Sequence, residues 1–518
     1  MEEYKVLITT SGIGSRLGEL TNYTNKSLIR VGKKPAISYI IEKYPKNIEF
    51  IITVGYYGNQ VIEFLKLAYP DRNFTFVEVD KYSGEGSSLA YSLLCAKNEL
   101  QCPFIFHASD TIIFNEINEP THNWLGSSYK KDASQYRTIS FVQSNMIYDK
   151  GEIDSNYAYI GLLGINDYKN FWESLEYEYK SDPNNQSLSD CNAINRMIVD
   201  KWEVYNYDDW LDIGNAFELT HARNIISDKF ELLDKVDESI FLFDDFVIKF
   251  FYNKNICKNR VDRCNELQGL TPKLIDYTEN FYKYEYAKGE LFSKCVNEKT
   301  FKNFLKWSLK NLWLSKGQSE DFKKICEDFY INKTIKRLNE FYKKYSFNDE
   351  TMIINGYIVP PINEMLSNID KDWLYSDTFY QFHGDYILDN IIYESNDNFI
   401  LLDWRQDFGG DLKNGDIYYD LSKLNHNLLF NHDIIHAGHY EVIEKNNEIR
   451  IDIFRSDILT NCREILHEFI KANNFDLKKV NILTAIIWLN MSPLHEPKMG
   501  KFLFYLGKLN LYKSLYIK

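Results

Sequence analysis

The chain has 518 residues, with 60 Lys and Arg against 74 Asp and Glu and a formal net charge of −14. At roughly 100–200 residues per domain this length holds two to four domains, each able to bury a core. The acidic balance, with no dense Lys/Arg block, excludes the ordinary footprint of a nucleic-acid partner. No apolar run approaches the roughly 18 residues of a membrane span, and MEEYKVLITT enters a strand without a basic n-region. A soluble, cytoplasmic protein with no membrane partner is expected. Eight cysteines are scattered without a CxxC, which predicts thiols rather than a zinc ribbon or a disulfide framework.

Short apolar runs at 6–10, 50–54, 74–79 and 104–107, separated by stretches with helical spacing, predict a parallel sheet with crossover helices. Ligands of such sheets sit at the carboxyl ends of the strands. After the first run comes ITTSGIGSRLGELTNYTNKSL (8–28), where Gly12 and Gly14 let backbone N–H groups approach an oxyanion. A following helix start would favour that charge, and Arg16 and Lys26 add two cations. Leu17 stands where a dinucleotide fingerprint needs its third glycine, and GxxxxGK[ST] is absent. A second glycine turn, Gly84-Glu85-Gly86-Ser87-Ser88-Leu89, opens a helix and leaves room for a flat base. Asp110 follows the strand FIFHA, and Asp212 lies in WLDIG after another apolar segment. Two carboxylates beside a triphosphate would hold Mg²⁺, which prefers few protein oxygens plus phosphate and water. Taken singly, each of these features is also an ordinary turn.

In this order the elements resemble the sugar-phosphate nucleotidyltransferase family, which includes phosphocholine cytidylyltransferases, over about residues 4–225. The resemblance rests on GxGSRL at 12–17, Lys26 before VGKKPAISYII, the Asp110 turn and WLDIGN at 210–215. It implies a Rossmann-like domain in which Gly12, Gly14, Ser15 and Arg16 hold a nucleoside triphosphate, CTP or UTP. Lys26 meets its phosphates, Gly86 and Ser87 border the base, and Asp110 with Asp212 bind Mg²⁺. Asn25 replaces the usual proline, a change expected to alter only loop stiffness, and Thr10-Ser11 replaces alanine-glycine. Tyr157, Tyr159, Asp190 and Asn192 are the acceptor candidates, and SDPNNQSLSD (181–190) is either a loop over the site or a surface connection.

A strand-rich pattern restarts with SIFLFDDFVIKFF, so the boundary falls near residue 230, giving domains 1–230 and 231–518. Lys249 in FVIKFF points to solvent by alternation unless a site holds it. Asp385 in HGDYILDN stands five residues before Asn390, which suits one side chain to a hydroxyl and the other to Mg²⁺, while Asp403 in LLDWR completes the metal site. HGDxxxxN, LLDWR and GDxxYDL at 415–421 resemble the aminoglycoside phosphotransferase and choline kinase group over about 238–518. That resemblance implies a kinase-like α+β phosphotransferase domain using ATP and Mg²⁺. Asp385 is its catalytic base, Asn390 and Asp403 its metal ligands, Lys249 its nucleotide lysine, and 284–287, with Glu285, its adenine hinge. The acid pairing Lys249 is Asp262 or Glu266, Arg405 is a substrate contact in the inserted WRQDFGGDLKNG, and Asp420 is structural. Residues 300–346 read as core, and 439–453 as a hairpin among helices.

The two parts together predict a bifunctional enzyme that phosphorylates a sugar or polyol with ATP and transfers NMP from CTP or UTP onto the phosphate. The product is an NDP-activated unit for surface polysaccharide. Its partners are the small-molecule alcohol, its phosphate ester and nucleotides, and homo-oligomerisation is left open. The alternatives are synthesis of CDP-choline, or one domain acting as a nucleotide-binding pseudoenzyme.

Overall fold

The computed structural model describes residues 4–140, 146–152, 155–197, 202–226, 235–445 and 448–517. The boundary expected at residue 230 lies outside the described residues. Contacts divide the chain into two compact units, residues 1–257 with 275–284, and residues 258–274 with 285–518.

The first unit is built on a nine-stranded sheet: β1 (Lys5–Thr9), β2 (Glu49–Val54), β3 (Asn73–Glu78), β4 (Phe104–Ala108), β5 (Trp124–Tyr129), β6 (Thr138–Ser140), β7 (Met146–Tyr148), β8 (Tyr157–Ile165) and β9 (Glu203–Asn206). Its order is β7-β6-β8-β4-β1-β2-β3, with β5 joining β8 to β9. β1 to β4 are parallel, and Val6, Leu7 and Ile8 are 0% exposed because helices cover both faces, which is why β1 reads as an apolar run. β8 runs antiparallel to β4 and β5, a half of the sheet that the apolar runs do not announce. Thr9 is level with Thr53 and Ala108, so the loops after β1, β2 and β4 emerge along one edge.

A four-stranded sheet, β10 (Glu238–Leu242), β11 (Phe246–Phe251), β12 (Leu274–Tyr277) and β13 (Phe281–Glu285), has the order β10-β11-β13-β12. It packs on helix α1 (Gly58–Ala68): Phe64 meets Phe241 and Phe281 at centroid distances of 5.4 and 6.0 Å. Glu63 accepts hydrogen bonds from Thr278 Oγ1 at 2.7 Å and Asn280 N at 3.0 Å, and Lys283 Nζ donates to Leu67 O at 3.0 Å. Lys249 is buried in β11 at 8% exposure, against the alternation.

In the second unit, helices α2 (Ile417–Leu429), α3 (Asp457–Ala472), α4 (Leu477–Met491) and α5 (Pro497–Tyr516) form the main bundle. The expected hairpin is present as β16 (Tyr440–Lys445) and β17 (Glu448–Ile453). The sequence did not announce its extension by β14 (Met352–Ile354) and β15 (Tyr357–Val359) into a four-stranded sheet. Phe301, Phe304 and Leu305 are buried on one face of the helix Glu298–Asn311, as its spacing predicts. Among the described residues no helix is long and apolar enough to cross a membrane, and all eight cysteines are free.

Candidate active sites

In the first unit the loop after β1 is tied down at its start. Thr10 N and Oγ1 both donate to Thr53 O, at 3.0 and 2.7 Å, and Ser11 O accepts from Tyr56 N at 2.9 Å. Gly14 adopts φ 72°, where a Cβ would also come within 2.9 Å of Lys26 Cβ, so only glycine fits. The segment that follows, Ser15–Thr21, is a 3₁₀ turn interrupted at Gly18 rather than the α-helix start expected, so the helix-dipole argument for phosphate binding loses force there.

The two carboxylates are brought together by a short antiparallel ladder, in which Leu211 faces Ile112 and Asp212 faces Thr111, with Ile213 N donating to Asp110 O at 3.0 Å. Around Gly214, Asp212 Oδ1, Arg16 Nη2 and Asp110 Oδ2 lie 3.0, 3.3 and 3.4 Å from the position of an added Cβ. Lys26 Nζ contacts Asp110 Oδ2 at 3.2 Å. Arg16, Lys26, Asp110 and Asp212 therefore converge. Burial pushes the Asp110 carboxyl up, but Lys26 and then Arg16 outweigh it and hold it below its ordinary value. Asp212 is pushed up to about 6, by burial first and then by the charge of Asp110. A like-charge pair of this kind, open to phosphate oxygens, fits Mg²⁺.

Two residues of this site carry roles that the sequence does not reveal. Asn25 is 0% exposed, and its Nδ2 donates to Thr10 O at 2.8 Å and Tyr56 O at 2.6 Å. Its Oδ1 accepts from Ser27 N at 2.9 Å and Ser27 Oγ at 2.8 Å. Asn25 thus clamps three segments around Lys26, which is more than the change in loop stiffness expected of it. His107, also 0% exposed, bonds Tyr44 Oη through Nδ1 at 2.8 Å and Thr111 O through Nε2 at 2.9 Å, steadying the Asp110 turn. Burial lowers its pKa to about 4, so it is neutral at physiological pH.

The second glycine turn is held by Ser87 Oγ donating to Gly84 O at 2.6 Å, and Gly86 has φ 80°. Residues 184–186 reach it, Asn184 Nδ2 to Glu85 Oε1 at 2.8 Å and Gln186 Nε2 to Gly84 O at 2.7 Å, so the 181–190 segment borders the turn expected to meet the base. Of the acceptor candidates, Tyr159 and Asp190 are buried and hydrogen-bonded to each other, while Asn192 is spent in a capping box with Ser189. Tyr157 is exposed and packs edge-on against Tyr129.

In the second unit Asp385 follows a rigid loop. Asp420, 0% exposed, accepts from His383 N at 2.8 Å, Gly384 N at 2.7 Å and Trp313 Nε1 at 3.2 Å. His383 Nδ1 accepts from Asp385 N at 3.2 Å, which leaves Nε2–H to donate to Leu402 O at 2.8 Å. Asn390 Nδ2 donates to Asp385 O at 2.9 Å and Oδ2 at 3.3 Å, and Leu402 N donates to Asn390 O at 2.7 Å, placing Asp403 beside them. Asp403 holds φ 52°, a strained position of the kind that clusters at functional sites. Lys423 Nζ lies 2.7 Å from Asp385 Oδ1 and overcomes the upward push of burial, so the Asp385 carboxyl sits below its ordinary value.

Lys423 is one cation the sequence does not reveal; Arg260 and Arg263 are two more. Arg260 Nη1 pairs with Asp403 Oδ1 at 2.6 Å. Arg263, 0% exposed, donates to the carbonyls of Arg405, Leu412 and Phe382 at 3.1, 3.1 and 2.6 Å. Both lie on the helix Lys254–Glu266, which was expected to supply an acid; there Glu266 pairs with Lys413 at 3.2 Å. Glu285 is exposed, and its N–H donates to Lys273 O at 3.0 Å. Among the described residues no cluster of three or more His, Cys, Asp or Glu side chains forms a metal cage. Asn390 with Asp403 fits Mg²⁺ in the manner of a site completed by phosphate oxygens.

No family model matches the chain. By sequence it is similar to the Bifunctional protein GlmU of Methanococcus maripaludis (strain DSM 14266), 24% identical over 258 residues, 47% of this chain and 60% of that protein. It is also similar to the Choline-phosphate cytidylyltransferase of Streptococcus pneumoniae, 34% identical over 133 residues, 25% of this chain and 56% of that protein. The chain thus spans little more than half the length of these curated relatives. Among solved structures, the CTP:phosphocholine cytidylyltransferase of Streptococcus pneumoniae is 22% identical with a TM-score of 0.37, covering 43% of this chain and 100% of that one. UDP-glucose pyrophosphorylase complexed with UDP-glucose is 15% identical with a TM-score of 0.35, covering 43% of this chain and 98% of that one. The N-terminal part of the chain therefore resembles nucleotidyltransferases.

Proposed function

We propose that the chain carries two consecutive reactions: phosphorylation of a sugar or polyol by ATP in its second part, and transfer of NMP from CTP or UTP onto that phosphate in its first. The product is an NDP-activated unit for surface polysaccharide. The observation that carries this reading is the convergence of Arg16, Lys26, Asp110 and Asp212 at the carboxyl edge of the parallel strands. There an acceptor phosphate oxygen attacks the α-phosphorus, the bond to the bridging oxygen breaks, and pyrophosphate leaves with the electron pair. Arg16 and Lys26 align the phosphates and neutralise the charge that builds up, so no covalent intermediate with the protein is needed. Mg²⁺ bound by Asp110 and Asp212 would neutralise further phosphate charge.

In the phosphorylation, which supplies that phosphate, the alcohol oxygen attacks the γ-phosphorus, its proton passes to the Asp385 carboxylate, the bond to the β–γ bridging oxygen breaks, and ADP leaves with the electron pair. Asp420 and His383 fix the loop on which Asp385 sits, so the residue is aimed before substrate arrives. Synthesis of CDP-choline is the second reading, favoured by the 34% identity over 133 residues to a choline-phosphate cytidylyltransferase.

Incubation with ATP, CTP or UTP, Mg²⁺ and a panel of alcohols, read by mass, separates these readings. Asp110→Ala should abolish pyrophosphate release from NTP and a supplied phosphate ester while ATP consumption continues. Asp385→Ala should do the reverse, and wild-type phosphorylation by that variant would sink the kinase assignment.

A further inference from the structure

Near Asp385 the second unit gathers more positive charge than its own carboxylates take up. Lys333 begins the helix Lys333–Tyr345, directly after a π-helical segment, Asp328–Asn332, a widened turn of a kind frequent at functional sites. Its Nζ lies 4.3 Å from the centroid of the Phe329 ring, and the Arg405 guanidinium lies 5.1 Å from the same ring. Phe408 and Tyr419 close around Phe329 at centroid distances of 4.3 and 4.9 Å, making an apolar floor.

Other cations stand close by, but they are taken. Lys423 pairs with Asp385 at 2.7 Å, and Arg337 pairs with Glu340 at 2.8 Å. Lys333 and Arg405 have no carboxylate at ion-pair distance among the described residues, and Arg405 Nε is buried without a hydrogen-bond partner there. Asp407, the acid that most offsets the charge on Lys333, accepts the Gly410 N–H at 3.0 Å. The Lys333 pKa is lowered to about 7, by burial first and then by Arg405, Arg337 and Lys423. Crowding of like charges on a half-buried surface is costly unless an anion joins them.

We propose that the alcohol phosphorylated at Asp385 carries an oxyanion, a carboxylate or a phosphate, seated between Lys333 and Arg405 beside the Phe329 ring. This rests on reading Asp385 as the base of a kinase, and it narrows the acceptor to an anionic sugar or polyol. Lysine and arginine give charge-assisted hydrogen bonds to either oxyanion, and the aromatic floor strengthens them by excluding water. A quaternary ammonium alcohol would meet repulsion at the same place.

The test gives the full chain ATP and Mg²⁺ with glycerol, glycerate, glycerol 3-phosphate, sorbitol, gluconate, sorbitol 6-phosphate and choline, and follows ADP. One anionic member should exceed its neutral counterpart in kcat/KM by about tenfold or more, and the carboxylate and phosphate arms tell the two oxyanions apart. Lys333→Met and Arg405→Gln should each raise KM for that alcohol by about 10- to 100-fold, with KM for ATP within about twofold and the thermal midpoint held. Preference for the neutral alcohols or choline leaves the kinase reading standing and overturns the oxyanion site. An equal rise in KM for ATP overturns it too, assigning both cations to the γ-phosphate. If no alcohol consumes ATP above the Asp385→Asn background, the kinase reading falls and takes this proposal with it.

Discussion

Asn25 offers the sharpest check on how the first site is held. Truncation to alanine removes two donors, from the buried carbonyl of Thr10 and the half-buried one of Tyr56, and one acceptor from the buried Ser27 N–H; the Ser27 hydroxyl can turn elsewhere. A buried polar group left unpaired costs about 1–3 kcal/mol, and because carbonyls keep a second lone pair the lower end applies to them. The sum is about 3–5 kcal/mol, a large share of the roughly 5–15 kcal/mol that keeps a domain folded. At roughly 2–4 °C per kcal/mol for a unit of this size, the melting midpoint of the first unit falls by about 6–20 °C.

Function should fall as well, because the clamp sits next to Lys26. Asn25→Pro suits the observed φ of −69°, but it removes the side-chain amide and the backbone N–H that bonds Gln60 Oε1 at 3.3 Å, so restoring the proline common in related loops should not restore the wild type. Calorimetry reads the midpoint, and pyrophosphate release at a temperature where the variants stay folded reports the site. A midpoint shift under about 1 °C for Asn25→Ala, with normal turnover, would refute the clamp, since surface changes of no consequence stay within about 0.5 kcal/mol.

His107 is neutral in the fold and has a pKa near 6.5 when unfolded, so its contribution is complete above pH 6.5 and is lost as the pH falls toward its folded value of about 4. The first unit should lose about 3 kcal/mol over that window, and a His107→Gln chain, weaker at pH 7, should show a flatter midpoint against pH. A chain cut at residue 230 takes Phe241, Phe250 and Phe281 away from the cluster containing Phe64. At about 1.5–3 kcal/mol for each buried aromatic, the loss is comparable with a domain's whole stability, and such a fragment should aggregate or be digested at once, whereas the intact chain resists. Lys423→Met leaves Asp385 with burial and the charge of Asp403, both of which raise its pKa. The acid limb of the phosphotransfer pH–rate profile should move upward, and an unmoved limb would show that Lys423 does not set that carboxylate.

The parallel half of the first sheet is legible in the sequence because strands covered on both faces are apolar at nearly every position, as 50–54 is apart from Thr53. The antiparallel half is not, since β6 and β7 are three residues each and leave no run to read. Glycine loops and acid-bearing turns announce Arg16, Lys26, Asp110 and Asp212 because they lie next to strand ends. Asn25 is hidden for the opposite reason: its partners at 10, 27 and 56 come together only when the sheet forms. Arg260 is hidden likewise, because it reaches Asp403 across 143 positions. The sheet of β10 to β13 reads as the start of the second half, yet its apolar face is complementary to α1, and burial rather than chain order decides which body it joins.

Both candidate sites solve one electrostatic problem in the same way. Burial pushes the carboxyls of Asp110 and Asp385 up, and in each a lysine outweighs it, Lys26 at 3.2 Å and Lys423 at 2.7 Å, so both sit below their ordinary values. Asp403 pairs with Arg260 at 2.6 Å. Asp212 marks the contrast: among the described residues no cation lies at ion-pair distance from it, and burial and the charge of Asp110 outweigh Arg16, so its carboxyl rises to about 6. A carboxylate paired with a lysine can exchange that partner once phosphate oxygens compete for the ammonium, and a carboxyl at about 6 is still largely ionised near pH 7. The lysine pairs therefore hold the Asp110 and Asp385 carboxyls below their ordinary values before any phosphate arrives, whatever part each then takes in its site.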